Sequence, residues 1–581
     1  MPSCRSATAL PLPRYGLPTP RRAVSVTIRS GLCGVLLLAV TGNASAQLQV
    51  DRFYPPVVSA GGETIVQAEG KFPNWPVQIA CGRDDVEVTA QEKSGHFSIR
   101  VPVDAAPGIA WVRCYDNASA SSLVPLLIAP LATVEETEPN NKPDEATPVE
   151  LPAVLFGRLD KSNEVDTFRL KLSKGQTLVA TATAHQHLRS PMDAVMQLVD
   201  LKGNVILQAD DDRGLDPQLT FHAHEDGEWL VRLFAFPETP NSTIGYAGGS
   251  SFVYTLRITD GAFLDHALPL VVPSEPSDRA ILPVGWNLPA EGSPQQTATT
   301  ADVVEVTFFP NVLGWQAHAA FPGDAAIIHE TDDGSPAETS SLPCIYAGHI
   351  ATAKEIDRLR FEVQESKRYE AIVHSRAFGF PLDSVLRIVD LHDGTEVARN
   401  DDGARDQYDA AINFTAKRSG QFELQVSDLV NGHGPRYAYS IVVDEARPSV
   451  DLTVAEDHFM IKAGQSLEIP VTISRRNGFD QPLVITVEGL PAGIQADPVT
   501  SEPKGETAKA VKLKLTATAE AATSASAVHG SFRILGQAAA TEAANAPSTY
   551  VASYALRDTL PIRQLWLTAI KEAPAQTPND K

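Results

Sequence analysis

One series of strand-forming segments occurs twice in this chain, about 190 residues apart, and it constrains the fold more than any other feature. Gly157-Arg158-Leu159 and then Val165-Asp166-Thr167-Phe168-Arg169-Leu170 match Gly348-His349-Ile350 and then Ile356-Asp357-Arg358-Leu359-Arg360-Phe361. Pro191-Met192-Asp193-Ala194-Val195 matches Pro381-Leu382-Asp383-Ser384-Val385, and Gly227-Glu228-Trp229 matches Gly420-Gln421-Phe422. Tyr254-Thr255-Leu256 closes the first copy, and Tyr439-Ser440-Ile441 the second. An order of motifs kept over roughly 120 residues marks a duplicated structural unit.

Each copy is written in period two. Trp229, Val231 and Leu233 fall on one face of a strand. Phe422, Leu424 and Val426 face inward in the second copy, with Glu423 and Gln425 outward. Such alternation buries one face of an antiparallel sheet. Helical periodicity is almost absent, and Gly, Pro, Asn and Asp bound the strand-like runs throughout. The expected fold class is therefore all-β, a row of tandem β-sandwich domains.

Five Arg and no acid precede a short apolar run, Gly31 to Val40, and then Ala44-Ser45-Ala46. That layout predicts a secretory signal peptide over residues 1–46. The run is too short to span a bilayer, so no membrane insertion is expected. Removing it leaves 43 Lys and Arg against 71 Asp and Glu. A field of that sign repels nucleic acid and favours cations. The expected location is periplasmic or extracellular, with an extracellular protein or polysaccharide as partner. Cys81 and Cys114 end strand-like runs in one N-terminal unit, so an oxidising compartment predicts a bridge between them. Cys344 is then an odd thiol, expected to be buried at a strand start.

Composition shifts and turn residues divide the rest: 47–130, 131–261 (first repeat), 262–328, 329–446 (second repeat), 447–572, and a disordered tail at 573–581. At the head of the first repeat stands Glu136-Thr137-Glu138-Pro139-Asn140-Asn141. Two carboxylates and two amides within six residues are hard oxygen donors, which suit Ca²⁺ with its six to eight ligands.

With the E-x-E-x-N-N, G-x-[IL], D-x-[FL] and P-x-D motifs and the closing Tyr strand in view, both repeats resemble bacterial pre-peptidase C-terminal domains. These are jelly-roll-like sandwiches found beside secreted peptidases and related to collagenase collagen-binding domains. Residues 47–130 resemble an IPT/TIG domain through Pro55-Pro56 and Gly61-Gly62, and 447–572 resemble bacterial Ig-like sandwiches. Large planctomycete secreted proteins are similar in arrangement. The resemblance implies structural calcium held by Glu136, Glu138, Asn140 and Asn141, completed by Asp166; Asn163 and Glu164 lie close enough in sequence to be extra ligands. In the second copy, Glu330-Thr331-Asp332-Asp333 is aligned with Glu138-Pro139-Asn140-Asn141, and Asp357 with Asp166. No acid then matches Glu136, and the second copy is expected to bind calcium weakly or not at all.

No catalytic motif is present: neither G-x-S-x-G nor H-E-x-x-H occurs. The expected function is non-catalytic, a secreted binding, adhesion or scaffold protein. Two alternatives stay open: an accessory or targeting partner of a secreted peptidase, and a polysaccharide- or collagen-binding protein.

Overall fold

The computed structural model describes residues 47–571 except 240–244, 269, 273–281, 290–294, 300–302, 308–312, 315–316, 321–324, 332–333, 340, 404–407, 522–526, 539–547 and 556–560. The expected signal peptide and C-terminal tail lie outside the described residues, as do Asp332 and Asp333.

The architecture is all-β. The N-terminal sandwich faces a sheet ordered Gln49–Tyr54, Gly62–Lys71, His96–Val101, Glu87–Ala90 against one ordered Val57–Ser59, Val124–Ala129, Gly108–Tyr115, Gln78–Cys81. Phe53, Phe97, Val66 and Leu126 fill the space between them. The C-terminal sandwich, from Ser449–Val454 to Leu565–Ile570, buries its own set, with Ile469, Leu483, Leu513 and Phe532 at its centre.

The two repeats have one topology. In the first, one sheet runs Thr147–Pro148, Asp166–Leu172, Gly227–Pro237, Met192–Val199, Val205–Ala209. The other runs Gln218–His222, Thr177–Thr183, Val253–Thr259, Ala153–Arg158, Thr133–Glu135. The second repeat repeats both orders, strand for strand: Ala337–Glu338, Asp357–Val363, Gly420–Asp428, Ser384–Asp390, Thr395–Asn400, and Ala411–Thr415, Arg368–His374, Ala438–Glu445, Cys344–His349, Ala326–His329. The strand Ala326–His329 places the start of this repeat three residues ahead of the expected boundary.

Period two resolves as the alternation demands. Val231 and Leu233 lie in the first repeat's core, with Trp229 packed against it. Phe422, Leu424 and Val426 lie in the second. Glu423 does face outward, yet it is only 5% exposed, because Arg358 and Arg360 cover it at 3.6 and 3.4 Å. His185 and His187 form a helical turn, His185–Leu188, in which His185 is buried.

The expected Cys81–Cys114 bridge does not form; both thiols are free. In the antiparallel pair of strands, Cys81 stands opposite Val112 and Cys114 opposite Ile79. The two sulfurs are therefore diagonal neighbours, a separation of about 7–8 Å between Cα atoms and beyond the usual span of a disulfide. Cys344 opens its strand fully buried, as its sequence position suggested. Burial pushes the Cys114 and Cys344 thiols up to about 12. Of these three cysteines, only Cys81 is expected to react with a thiol reagent in the native protein at pH 8, and all three after unfolding. A counting assay with and without denaturant checks this.

Candidate metal centre

The site forms where the chain enters the first repeat. Thr133–Glu135 pairs in parallel with Ala153–Arg158, and the next amide, Glu136 N–H, donates to the Phe156 carbonyl at 3.0 Å. That register lays the Glu136 side chain across Gly157, where a Cβ would strike both the Glu136 carboxylate and the Tyr254 hydroxyl. Glycine is required there by close approach.

Glu136 Oε1 accepts the Arg158 amide at 2.6 Å, and Oε2 accepts the Asn140 side-chain amide at 3.1 Å. Tyr254 Oη lies 2.7 Å from Glu136 Oε2 and 2.5 Å from Asp166 Oδ2. A phenol carries one hydrogen, so it can donate to only one of these carboxylates at a time. Glu138 accepts the Asn140 backbone amide at 3.2 Å and brings a third carboxylate to the cluster. One oxygen each from Glu136, Glu138 and Asp166 lie within 4.8 Å of one another.

Two buried oxygens here have no hydrogen-bond partner: Asn140 Oδ1 and Asp166 Oδ1, on residues that are both 0% exposed. Buried polar atoms are rarely left so in a finished site. The charges agree. Burial, then the Glu136 charge, hold the Asp166 carboxyl well above the usual range. Burial raises Glu136 as well, and burial with Glu136 raises Glu138. Such crowding of carboxylates is unfavourable without a cation.

The other expected ligands are occupied. Asn141 Oδ1 accepts the Val165 amide at 3.0 Å and braces the strand Asp166–Leu172. Asn163 Oδ1 accepts the Tyr246 amide at 3.2 Å. Glu164 Oε2 accepts the Lys161 amide at 3.0 Å, and Oε1 lies 3.4 Å from Lys161 Nζ. The Asp210–Asp212 loop is turn chemistry, with Asp210 accepting the Asp211 amide at 3.0 Å.

In the second repeat the structure shifts the alignment by two residues. Glu330 N–H donates to the Ala347 carbonyl, as Glu136 does to Phe156, and a Cβ at Gly348 would strike the Glu330 carboxylate and the Tyr439 hydroxyl. Glu330 therefore takes the place of Glu136, not of Glu138. Counting on from it, Gly334 falls at Asn140 and Ser335 at Asn141. The amide whose free oxygen marks the first site is thus missing. Glu330 is paired with His349, Nδ1 to Oε1 at 2.7 Å and N to Oε2 at 3.1 Å. Tyr439 donates to Asp357 at 2.9 Å.

Burial, then Glu330, push the Asp357 carboxyl up to about 7. A raised carboxyl stabilises fully below its unfolded value and loses that contribution as pH rises through about 7. Asp357→Asn, which keeps the acceptor for Tyr439, is expected to melt higher than the parent at pH 8.5 and to lose the advantage by pH 4. Thermal melts in chelator at the two pH values check it.

No protein-family model matches the chain, and no curated protein matches it. Among solved structures, it is similar to the pre-peptidase C-terminal domain of a Bacillus anthracis collagenase, at 14% identity over 21% of this chain and 100% of that one, with a TM-score of 0.16. It is also similar to a Clostridium perfringens structure of an M60 catalytic domain with two CBM51 domains (10% identity, 67% of this chain, 45% of that chain, TM-score 0.14). This chain thus spans less than half of that structure. The four N-terminal Ig domains of Dscam1 match at 8% identity over 90% of this chain and 98% of theirs, with a TM-score of 0.18. At such scores these likenesses carry no argument about site or activity.

Proposed function

We propose that the chain is a non-catalytic exported binding or scaffold protein whose first repeat holds one structural calcium ion. The observation that carries the calcium reading is the pair of unpartnered buried oxygens, Asn140 Oδ1 and Asp166 Oδ1, beside the Glu136 and Glu138 carboxylates. Four residues would hold the ion: Glu136, Glu138, Asp166 and Asn140. Three carboxylates and one amide are hard oxygen donors, and a bidentate carboxylate or water completes the shell that calcium takes. Mg²⁺ fits such a cage poorly because it demands a smaller octahedron. Among the described residues no helix is long and apolar enough to cross a membrane. Calorimetric titration of the chelator-stripped chain tests the reading. Heat on adding calcium, lost in Glu138→Ala and small with magnesium, supports it. No heat and no change in melting reduce the cluster to a polar junction.

One observation favours a second reading, binding to a polysaccharide or to collagen. The strand Gly227–Pro237 carries Phe234 and Phe236, with Phe236 41% exposed. Tyr246 stacks on Phe234 at 4.3 Å and meets Phe236 edge-on at 5.7 Å. Clustered rings of this kind suit sugar or imino-acid faces. Loss of retention on the polymer in Phe236→Ala, with calcium binding intact, would favour this reading.

A further inference from the structure

We propose that the C-terminal sandwich is a releasable cap, clasped onto the N-terminal sandwich by Arg113 and Asp457. Residues 344 positions apart meet here: Arg113 Nη2 lies 2.8 Å from Asp457 Oδ2, and each side chain is 3% exposed. Arg113 belongs to the strand Gly108–Tyr115, and its Nη1 donates to the Ser121 carbonyl at 2.5 Å. Asp457 precedes the strand His458–Lys462. Its Oδ2 also lies 3.3 Å from the Leu123 amide of the N-terminal sandwich, and its Oδ1 meets His458 Nδ1 at 2.8 Å. The remainder of the seat is aromatic. Tyr115 packs on His529 and Trp566, with ring centroids 4.5 and 5.3 Å apart. Arg189 of the first repeat braces the corner, 5.1 Å over Trp111 and donating to the Leu123 carbonyl at 2.9 Å.

The contrast with the other joints is what makes this one releasable. An apolar cluster of Val57, Ala129, Val154, Phe156, Val179, Phe263 and Leu313 fuses the N-terminal sandwich, the first repeat and the segment after it. A second cluster, with Leu270, Ile327, Ile345 and Phe380, fuses that segment to the second repeat. Among the described residues no apolar cluster joins the C-terminal sandwich to any neighbour; its core is its own. On the second-repeat side its contact is polar, with Asn477 donating to Glu370 at 2.9 Å. Parting the two end sandwiches returns both Arg113 and Asp457 to water and leaves each core whole. Removing one partner instead strands a charge in the closed seat, which opening relieves.

The experiment uses the full chain. Asp457→Asn and Arg113→Met are compared with the parent by small-angle X-ray scattering and limited proteolysis, with circular dichroism as a check on folding. The expected result is a larger radius of gyration and a new cut at 446–448, releasing an intact C-terminal fragment, with strand content unchanged. Parental scattering and parental protection in both variants would overturn the proposal, as would a parent that already scatters as an open chain. Should the charge variants lose strand content, Tyr115→Ala decides the matter. It weakens the aromatic half of the seat without stranding a charge, so it must open the chain, and a closed Tyr115→Ala overturns the proposal.

Discussion

Asp166→Asn is expected to raise the melting temperature of the calcium-free protein and to abolish the further rise that calcium brings. The two effects have one cause. The Asp166 carboxyl is fully buried beside Glu136, and burial and repulsion disfavour its charge. An amide removes that repulsion while keeping an acceptor for the Tyr254 hydroxyl, so the empty site relaxes. It also removes a carboxylate from the four residues proposed to hold calcium. An ion that binds only the folded state stabilises it by ~2.7 kcal/mol at a hundred times its dissociation constant. That increment should vanish in Asp166→Asn, as read by melting in chelator and in excess calcium. A parent-like calcium shift in this variant would show that any ion sits elsewhere.

Asp265→Asn should have the largest destabilising effect of any single conservative change at the joint between the repeats. Asp265 is 1% exposed, with Arg213 Nη2 at 3.0 Å from its Oδ1 and Arg436 Nε at 3.3 Å from its Oδ2. Gln218 donates to Oδ1 at 2.6 Å, and His266 Nδ1 meets Oδ2 at 2.7 Å. One carboxylate thus neutralises a guanidinium from each repeat. Burial opposes its charge, but Arg213, His266 and Arg436 outweigh that and hold the carboxyl far below the usual range. A depressed carboxyl contributes stability above its unfolded value and loses it only as pH falls through the folded one. The contribution of Asp265 therefore persists through mild acid. Breaking a buried, bonded pair costs about 3–5 kcal/mol, and here two guanidiniums lose a shared carboxylate, with Arg436 keeping the more exposed Asp212 at 3.6 Å. Denaturant melts should show that loss at pH 7 and still at pH 5; a loss under about 1 kcal/mol would mean water reaches the joint.

Much of this was legible because it is periodic. The alternation in Gly227–Pro237 and Gly420–Asp428 fixed which face is core, and the spacing of the motifs revealed the duplication. Glu136 and Glu138 were legible too, as oxygen donors at the head of a sandwich, while Asp166 entered only through the family resemblance. What was not legible depends on register between strands distant in sequence. The sequence alignment sets Glu330 against Glu138. The parallel pairing of Ala326–His329 with Cys344–His349 shows it to be the partner of Glu136. The same blindness let Cys81 and Cys114 look like a pair when their strands set them on a diagonal. Tyr254 and Tyr439 carried a signal, one tyrosine at the same place in each copy, but only the fold shows their hydroxyls reaching a carboxylate 88 and 82 residues away. The contact between Arg113 and Asp457 leaves no local trace.

The parallel strand that begins each repeat has a consequence for how such a chain is assembled. Thr133–Glu135 runs parallel to Ala153–Arg158, and the closing strand Val253–Thr259 runs antiparallel to it on the other side. The second repeat does the same with Ala326–His329, Cys344–His349 and Ala438–Glu445. The incoming and outgoing chain therefore reach the same end of the sandwich, separated by one strand. A unit built this way is a cassette: it can be copied, excised or spliced between two hosts without rerouting either, because its two ends already lie side by side. Duplication of such a cassette needs only a short bridge, and each copy is then free to change the residues at its doorway, as Asn140 and Gly334 show.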